Sequence, residues 1–365
     1  MSKILRIETA VPQYRHDQHQ IAQFMQRVYR VEGRNFDKLG LVYDKSMIDS
    51  RYSIIPDFSR PGGDWEYFAD TPDMEPFPKL DQRMKWFMNE APGLAAEAIM
   101  PLFSEEINAT AVTHLITVSC TGMSAPGIDV ELVKLLGLRR NCQRTSVNFM
   151  GCYAALHGLK MADAICKADE NAVVIVVCVE LCTIHFQKEP SPDNIASTLL
   201  FSDGAAAVLV VPDGHSQKGF GIQSFYAELA MEGEEDMSWC LSETGFLMHL
   251  SNYIPRLIES KIGELLENAL QHSGGKRQSI GKWAIHPGGK KILEASAKAL
   301  SISCIDLAYS YDVLRDYGNM SSPTVLFVLK KILEDQASEP GESIFAAAFG
   351  PGITIETMLL NGSAC

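Results

Sequence analysis

From residue 172 to residue 179 the chain reads Ala-Val-Val-Ile-Val-Val-Cys-Val, with no polar side chain in the run. Successive residues of a strand point to opposite faces, so this strand must be covered by apolar partners on both sides. Residues 205–211 form a second such run. Helical patterns lie over about 84–103 and 152–167, and another strand over 112–119. Buried strands alternating with helices give a layered α/β architecture.

The second part of the chain is expected to repeat the first. Strands are expected over 221–227, 282–285, 343–348 and 353–359, and helices over 255–273, 290–299 and 321–334. Phe201-Ser202-Asp203-Gly204 and Phe349-Gly350-Pro351-Gly352 each precede a closing strand, and Cys152 and Asn319 each stand at a glycine-flanked helix start. The expected division is into halves of residues 1–212 and 213–365. A short strand over 4–11 and a helix over 16–29 open the chain. Residues 31–85, rich in Asp, Pro, Gly and aromatics, read as an irregular wrap over the body.

Charge and cysteine usage narrow the function. Acidic residues outnumber basic ones, 45 to 32, for a net charge of −13. That argues against nucleic acid as the main partner, since phosphate backbones require a basic stripe. The longest apolar run falls far short of the roughly 20 residues of a membrane helix. Charges at Lys3, Arg6 and Glu8 sit where a signal peptide would be apolar. The nine cysteines show no Cys-x-x-Cys spacing, so neither a disulfide scaffold nor a zinc site is expected, and a reducing cytoplasm is the default location.

Three residues carry the chemistry. Cys152 follows Gly151 at the start of a helix, where unpaired N–H groups favour a thiolate. His286, in His286-Pro287-Gly288-Gly289, lies on a turn at a strand end, where pocket residues concentrate. Asn319, in Gly318-Asn319-Met320-Ser321-Ser322-Pro323, suits a helix cap, and it can act in a pocket only if its amide NH2 remains free. Taken singly, each has a bland alternative: a small core cysteine, a turn histidine, a capping asparagine.

Gly151-Cys152, Phe201-Ser202-Asp203-Gly204, His286-Pro287-Gly288-Gly289, Gly318-Asn319-Met320-Ser321-Ser322 and Phe349-Gly350-Pro351-Gly352 resemble, in order and spacing, the blocks of type III polyketide synthases of the chalcone synthase superfamily. The likeness spans almost the whole chain. It implies a thiolase fold, with duplicated βαβαβαββ halves in a five-layered αβαβα core, and a homodimer. It implies that Cys152 carries the starter and growing chain as a thioester. His286 is implied to pair with the thiolate and, with Asn319, to hold the malonyl thioester carbonyl. Malonyl-CoA and an acyl-CoA starter are the implied substrates, with no cofactor or metal, and the product an aromatic or pyrone polyketide. Phe201 matches a gatekeeping phenylalanine, and Met248 stands where a second one is usual. Cys120, in the Cys-Thr-Gly form common in bacterial members, and His185 take the places of cavity threonines in plant enzymes. Gly350, Pro351 and Gly352 belong to a cavity loop. Lys38 and Lys45 match coenzyme A contacts; Leu41 replaces a third, for which Arg51 is the expected substitute.

Two other readings compete. A β-ketoacyl carrier-protein synthase III-like enzyme shares the three catalytic residue types but condenses once, and a non-catalytic homologue would only bind. The blocks at Phe201, Asn319 and Phe349 favour the iterative enzyme over the first, and the intact trio argues against the second.

Overall fold

The computed structural model describes residues 1–30, 33–233, 235–335 and 342–361. Strand β1 (Ser2–Ala10) opens the first half. The hairpin of β2 (Tyr14–Asp17) and β3 (Ser50–Ser53) brackets helices α1 (Gln18–Val28) and α2 (Arg34–Asp44). Then come α3 (Leu80–Ile99), β4 (His114–Ser119), α4 (Ile128–Leu136), β5 (Gln143–Asn148) and α5 (Ala154–Ala168). The half closes with β6 (Val174–Leu181), α6 (Pro192–Leu200) and β7 (Asp203–Pro212).

The second half starts at β8 (Phe220–Leu229) and a hairpin of β9 (Met237–Ser242) with β10 (Gly245–Leu250). It continues through α7 (Ile254–Ser273), β11 (Ile280–Ile285), α8 (Lys290–Leu300), α9 (Ala308–Tyr317) and α10 (Thr324–Asp335). β12 (Ser343–Gly350) and β13 (Thr354–Asn361) finish it.

The repeat is visible in the strand order. One nine-stranded sheet runs β11-β12-β13-β8-β1-β7-β6-β4-β5, joined at a short β1–β8 seam from Ser2↔Ile222 to Ile4↔Phe220. Outward from the seam, β1-β7-β6-β4 and β8-β13-β12-β11 follow the same sequence of antiparallel, antiparallel and parallel pairings. The halves differ at one edge. Where the first half adds β5, the described residues of the second form no strand and α9 fills the interval.

The apolar runs explain the layers. Along β6, Ile175, Val177 and Val179 enter the core under α1, α3 and α4, while Val174, Val176 and Cys178 enter a central core. Along β12, Ile344, Ala346 and Ala348 face that same central core, and Phe345, Ala347 and Phe349 pack on α7 and α8. Helices α5 and α10 lie in the central core, between the two half-sheets. Outer helices, half-sheet, central helices, half-sheet and outer helices make the five layers of a thiolase-like fold.

Residues 31–85 depart from the irregular wrap expected of them, since they contain α2 and β3. Gly40 inside α2 weakens the helical signal, and Leu41 and Val42 remain exposed, so no clean amphipathic stripe could be read. Strand β5 was missed because Gln-Arg-Thr-Ser-Val-Asn, an exposed edge, has no apolar pattern. Helices α4, α6 and α9 and the β9–β10 hairpin were not anticipated either.

Leu329, fully buried on α10, tests the central layer. Leu329→Ala is expected to cost about 2–5 kcal/mol in urea unfolding, the usual penalty for a leucine-sized cavity.

Candidate active site

After β5 the chain turns through Phe149, with φ +58°, and Gly151, with φ +84°. Cys152 follows, two residues ahead of the first residue of α5, at the positive end of that helix. A Cβ on Gly151 would fall 2.2 Å from Cδ of Pro351, so the close passage of this turn under the β12–β13 loop requires glycine. The Cys152 thiol donates to Ser321 Oγ at 3.5 Å. The thiol is only partly exposed, and it lines a cavity of about 980 Å³. Burial therefore pushes its pKa up to about 12, opposed by the Ser321 hydrogen bond and reinforced by the nearby Glu180.

His286 terminates β11, its backbone N–H donating to Ala347 O at 2.8 Å. The ring is 1% exposed and lines the same cavity, yet neither Nδ1 nor Nε2 has a hydrogen-bond partner among the described residues. Burial alone lowers its pKa to about 3. Asn319 lines the cavity from the turn that precedes α10. Its Oδ1 accepts the Ser321 N–H at 2.8 Å, which fixes the amide orientation. Nδ2 makes a long contact, 3.4 Å to Gly288 O, and its amide also favours the Cys152 thiolate, so its donor capacity is directed at the cavity. The Oδ1 bond closes a turn five residues ahead of α10, so Asn319 is not the helix cap its sequence context suggested.

Burial acts on thiol and imidazole in the same sense, against charge on either. The ion pair implied by the resemblance thus requires the proton to move from Sγ to the ring. That transfer leaves the net charge of the chamber unchanged.

Most of the other expected residues converge on this cavity. Phe201, Met248, Cys120, His185 and Pro351 line it, whereas Gly350 and Gly352 do not. Gly350 instead makes room for the Tyr153 ring, which a Cβ would meet at 2.4 Å. Cys120 accepts the Gly151 N–H at Sγ, 2.9 Å away, and burial raises its pKa well above that of a free thiol. His185 is locked: Phe246 N–H donates to Nδ1 at 3.0 Å, so Nε2 carries the proton and donates to Thr121 O at 2.7 Å. Its ring stacks on Phe246 at 4.2 Å. Burial lowers its pKa to about 3.

Lys38 and Lys45 are exposed and line the cavity from α2. Lys290 and Lys291, at the start of α8, line it too, and sequence reasoning overlooked them. Arg51 lines the cavity as well, but it is buried, its Nη1 donating to Phe201 O at 2.6 Å and its Nε to Gln18 Oε1 at 2.9 Å.

Glu180 was also missed. Fully buried at the end of β6, it accepts from Cys120 N–H at 2.9 Å, Thr121 Oγ1 at 2.8 Å and Ser322 Oγ at 2.6 Å. Those bonds join the Cys120 loop to the approach to α10. Burial raises its pKa to about 7 despite them. A carboxylate closing an otherwise apolar strand, Val179-Glu180-Leu181, was the available signal.

This arrangement has known counterparts. Residues 1–214 match the family model for the N-terminal domain of chalcone and stilbene synthases, and residues 222–364 that for the C-terminal domain. The chain belongs to the chalcone and stilbene synthase family. It is 31% identical over 331 residues to an "Alpha-pyrone synthesis polyketide synthase-like" protein of Mycobacterium tuberculosis, covering 89% of this chain and 82% of the relative. The crystal structure of a polyketide synthase from the brown alga Ectocarpus siliculosus superimposes with a TM-score of 0.90 at 28% identity, over 99% of this chain and 98% of that one. The C-terminal type III polyketide synthase domain of Steely1, a type I/III hybrid from Dictyostelium, gives 0.89 at 26% identity, over 99% of both. The chain is a type III polyketide synthase, an acyltransferase that builds polyketides by iterative condensation, and the single-step carrier-protein reading is not favoured. No helix among the described residues is long and apolar enough to cross a membrane.

Two measurements check the site. Gly151→Ala must displace Pro351 or Cys152, and product formation is expected to fall on the order of a hundredfold, as for a misplaced reacting group. Glu180 has a folded pKa of about 7 against 4.5 for a free carboxyl, so its proton favours folding below about pH 4.5 and that contribution fades as pH rises to 7. Relative to Glu180→Gln, the wild type is expected to lose on the order of 3 kcal/mol between pH 4.5 and 7 in urea titrations.

Proposed function

We propose that the enzyme loads an acyl starter from coenzyme A onto Cys152 and extends it with malonyl-CoA in the cavity, the halves 1–212 and 213–365 supplying thiol and hydrogen-bond donors respectively. The observation that carries this reading is the unpartnered, buried imidazole of His286 beside the Asn319 amide, in one cavity with the thiol. Buried polar atoms normally find partners, and a pair of vacant donors marks a place where negative charge is to be received.

Loading passes the Cys152 proton to His286, the sulfur attacks the starter thioester, and the departing coenzyme A thiolate takes that proton from His286. Loss of CO2 from malonyl-CoA then leaves an enolate, whose oxygen accepts hydrogen bonds from His286 and Asn319 Nδ2. The enolate carbon attacks the Cys152 thioester, a carbon–carbon bond forms as the C–S bond breaks, and the thiolate is free for reloading. None of these steps transfers electrons to a redox group, so coenzyme A thioesters suffice.

Lys38, Lys45, Lys290 and Lys291 supply cations for the coenzyme A phosphates. Phe201 and Met248 shape the passage to the inner chamber. The cavity extends past α6 to Ile21, Phe58 and Phe186, which favours a starter with an apolar acyl group. The name of the mycobacterial relative favours a pyrone among the ring products, with an aromatic ring as the other closure. The exposed edge of β5 suits pairing with a second copy, and the eight free cysteines among the described residues suit a reducing cytoplasm.

Purified enzyme given malonyl-CoA and a series of acyl-CoA starters is expected to release CO2 and yield polyketide lactones detectable by mass spectrometry. Cys152→Ala is expected to abolish the extended products while the protein stays folded. Polyketide formation by that variant at the wild-type rate would remove the thioester mechanism.

A further inference from the structure

Helix α6 is an unusual wall. Eight of its nine residues, all but Asp193, line the cavity, and none is fully buried. Ile195 and Leu199 pack on the outer core of the first half and Leu200 on that of the second, so burial holds only part of the helix and its position depends also on how its ends are held.

The carboxyl end is held by three groups from distant parts of the chain. Gln18 Nε2 donates to Leu199 O at 3.0 Å, Asn319 N–H to Leu200 O at 2.9 Å, and Arg51 Nη1 to Phe201 O at 2.6 Å. Gln18 and Arg51 are themselves joined through Nε and Oε1. Ser202 N–H donates back to Asn319 O at 2.9 Å, so Phe201 and Asn319 face one another across a parallel bridge. Gly318, with φ +69°, lets the chain cross this clamp, since a Cβ there would lie 2.9 Å from Arg51 Cγ and 3.0 Å from Leu200 O.

We infer that Arg51 is a positioning residue, clamping the end of α6 so that the Phe201 gate and the Asn319 carboxamide keep a fixed register. The inference rests on the proposed role of Asn319. A guanidinium suits the task because carbonyls at a helix end lack intrahelical partners and carry partial negative charge. Its planar fork also bonds Gln18 and Phe201 at once, which a lysine cannot reproduce. Arg51 acts through the backbone of two other residues and not on the coenzyme A phosphates.

Three variants and two readouts test this. In Arg51→Met, hydrogen exchange at the Ser202 and Asn319 amides is expected to accelerate while amides of β6 and β7 exchange as in wild type. The kcat for polyketide formation is expected to fall ten- to a hundredfold, the range for a displaced catalytic group. KM for malonyl-CoA is expected to stay near wild type, and CO2 released per bond formed to rise. Arg51→Lys is expected to restore part of kcat, and Gln18→Leu to show a weaker form of the same defect. A raised KM at unchanged kcat would make Arg51 a phosphate contact and overturn the inference, as would unchanged exchange at Ser202 and Asn319. If Arg51→Met does not fold, the same exchange comparison in Arg51→Lys and Gln18→Leu decides. An inactive wild type would sink the proposed function, whereas the exchange result would still judge the clamp.

Discussion

Everything at the site depends on the apolar layer in which α5 and α10 lie between two half-sheets. Strands β6 and β12 present Val174, Val176, Cys178, Ile344, Ala346 and Ala348 to these helices, and each strand's other face is equally apolar. Neither helix can turn without exposing that surface, at about 25 cal/mol per Å². Because the halves repeat one another, the helices occupy equivalent places, and the turns ahead of them bring Cys152 and Asn319 to one cavity. That convergence is a consequence of duplicated strand order, not of a local motif.

The same burial sets the electrostatics. Cys152, Cys120, His286, His185 and Glu180 are all moved towards their neutral forms by loss of water. What distinguishes them is whether hydrogen bonds replace that water. His185 has both ring nitrogens bonded and is a rigid wall; His286 has neither bonded and is ready for a ligand. Two histidines with equally depressed pKa values therefore have opposite capacities, and geometry, not the titration, separates them.

Much of this was legible in sequence, for identifiable reasons. The strands of the inner layers show because both their faces are apolar, and Cys152, His286 and Asn319 show because glycine-rich turns mark them. What was illegible depended on partners distant in the chain. Arg51 looked like a surface cation until Gln18 and Phe201 were seen around it. Glu180 lies inside the most conspicuous strand, yet its value comes from Ser322 in the other half. Lys290 and Lys291 read as an ordinary charged helix start, and α6 shows no clear stripe because it is shared between a cavity and the cores beside it.

The wall around Cys120 and His185 bears on how a ring is closed. The Cys120 sulfur accepts from Gly151 and its carbonyl oxygen accepts the Trp239 indole N–H at 2.7 Å. The nitrogens of His185 are spent on Thr121 and Phe246. Trp239, Phe246 and His185 form one aromatic cluster, with ring centroids 4.2–5.8 Å apart. Both side chains are thus already engaged by protein. A polyketide meeting such a wall is directed by shape and stacking more than by hydrogen bonds. On that argument, chain length and the site of cyclisation should respond to the volume of Met248 and the tilt of Phe246 more than to the polarity of Cys120 or His185.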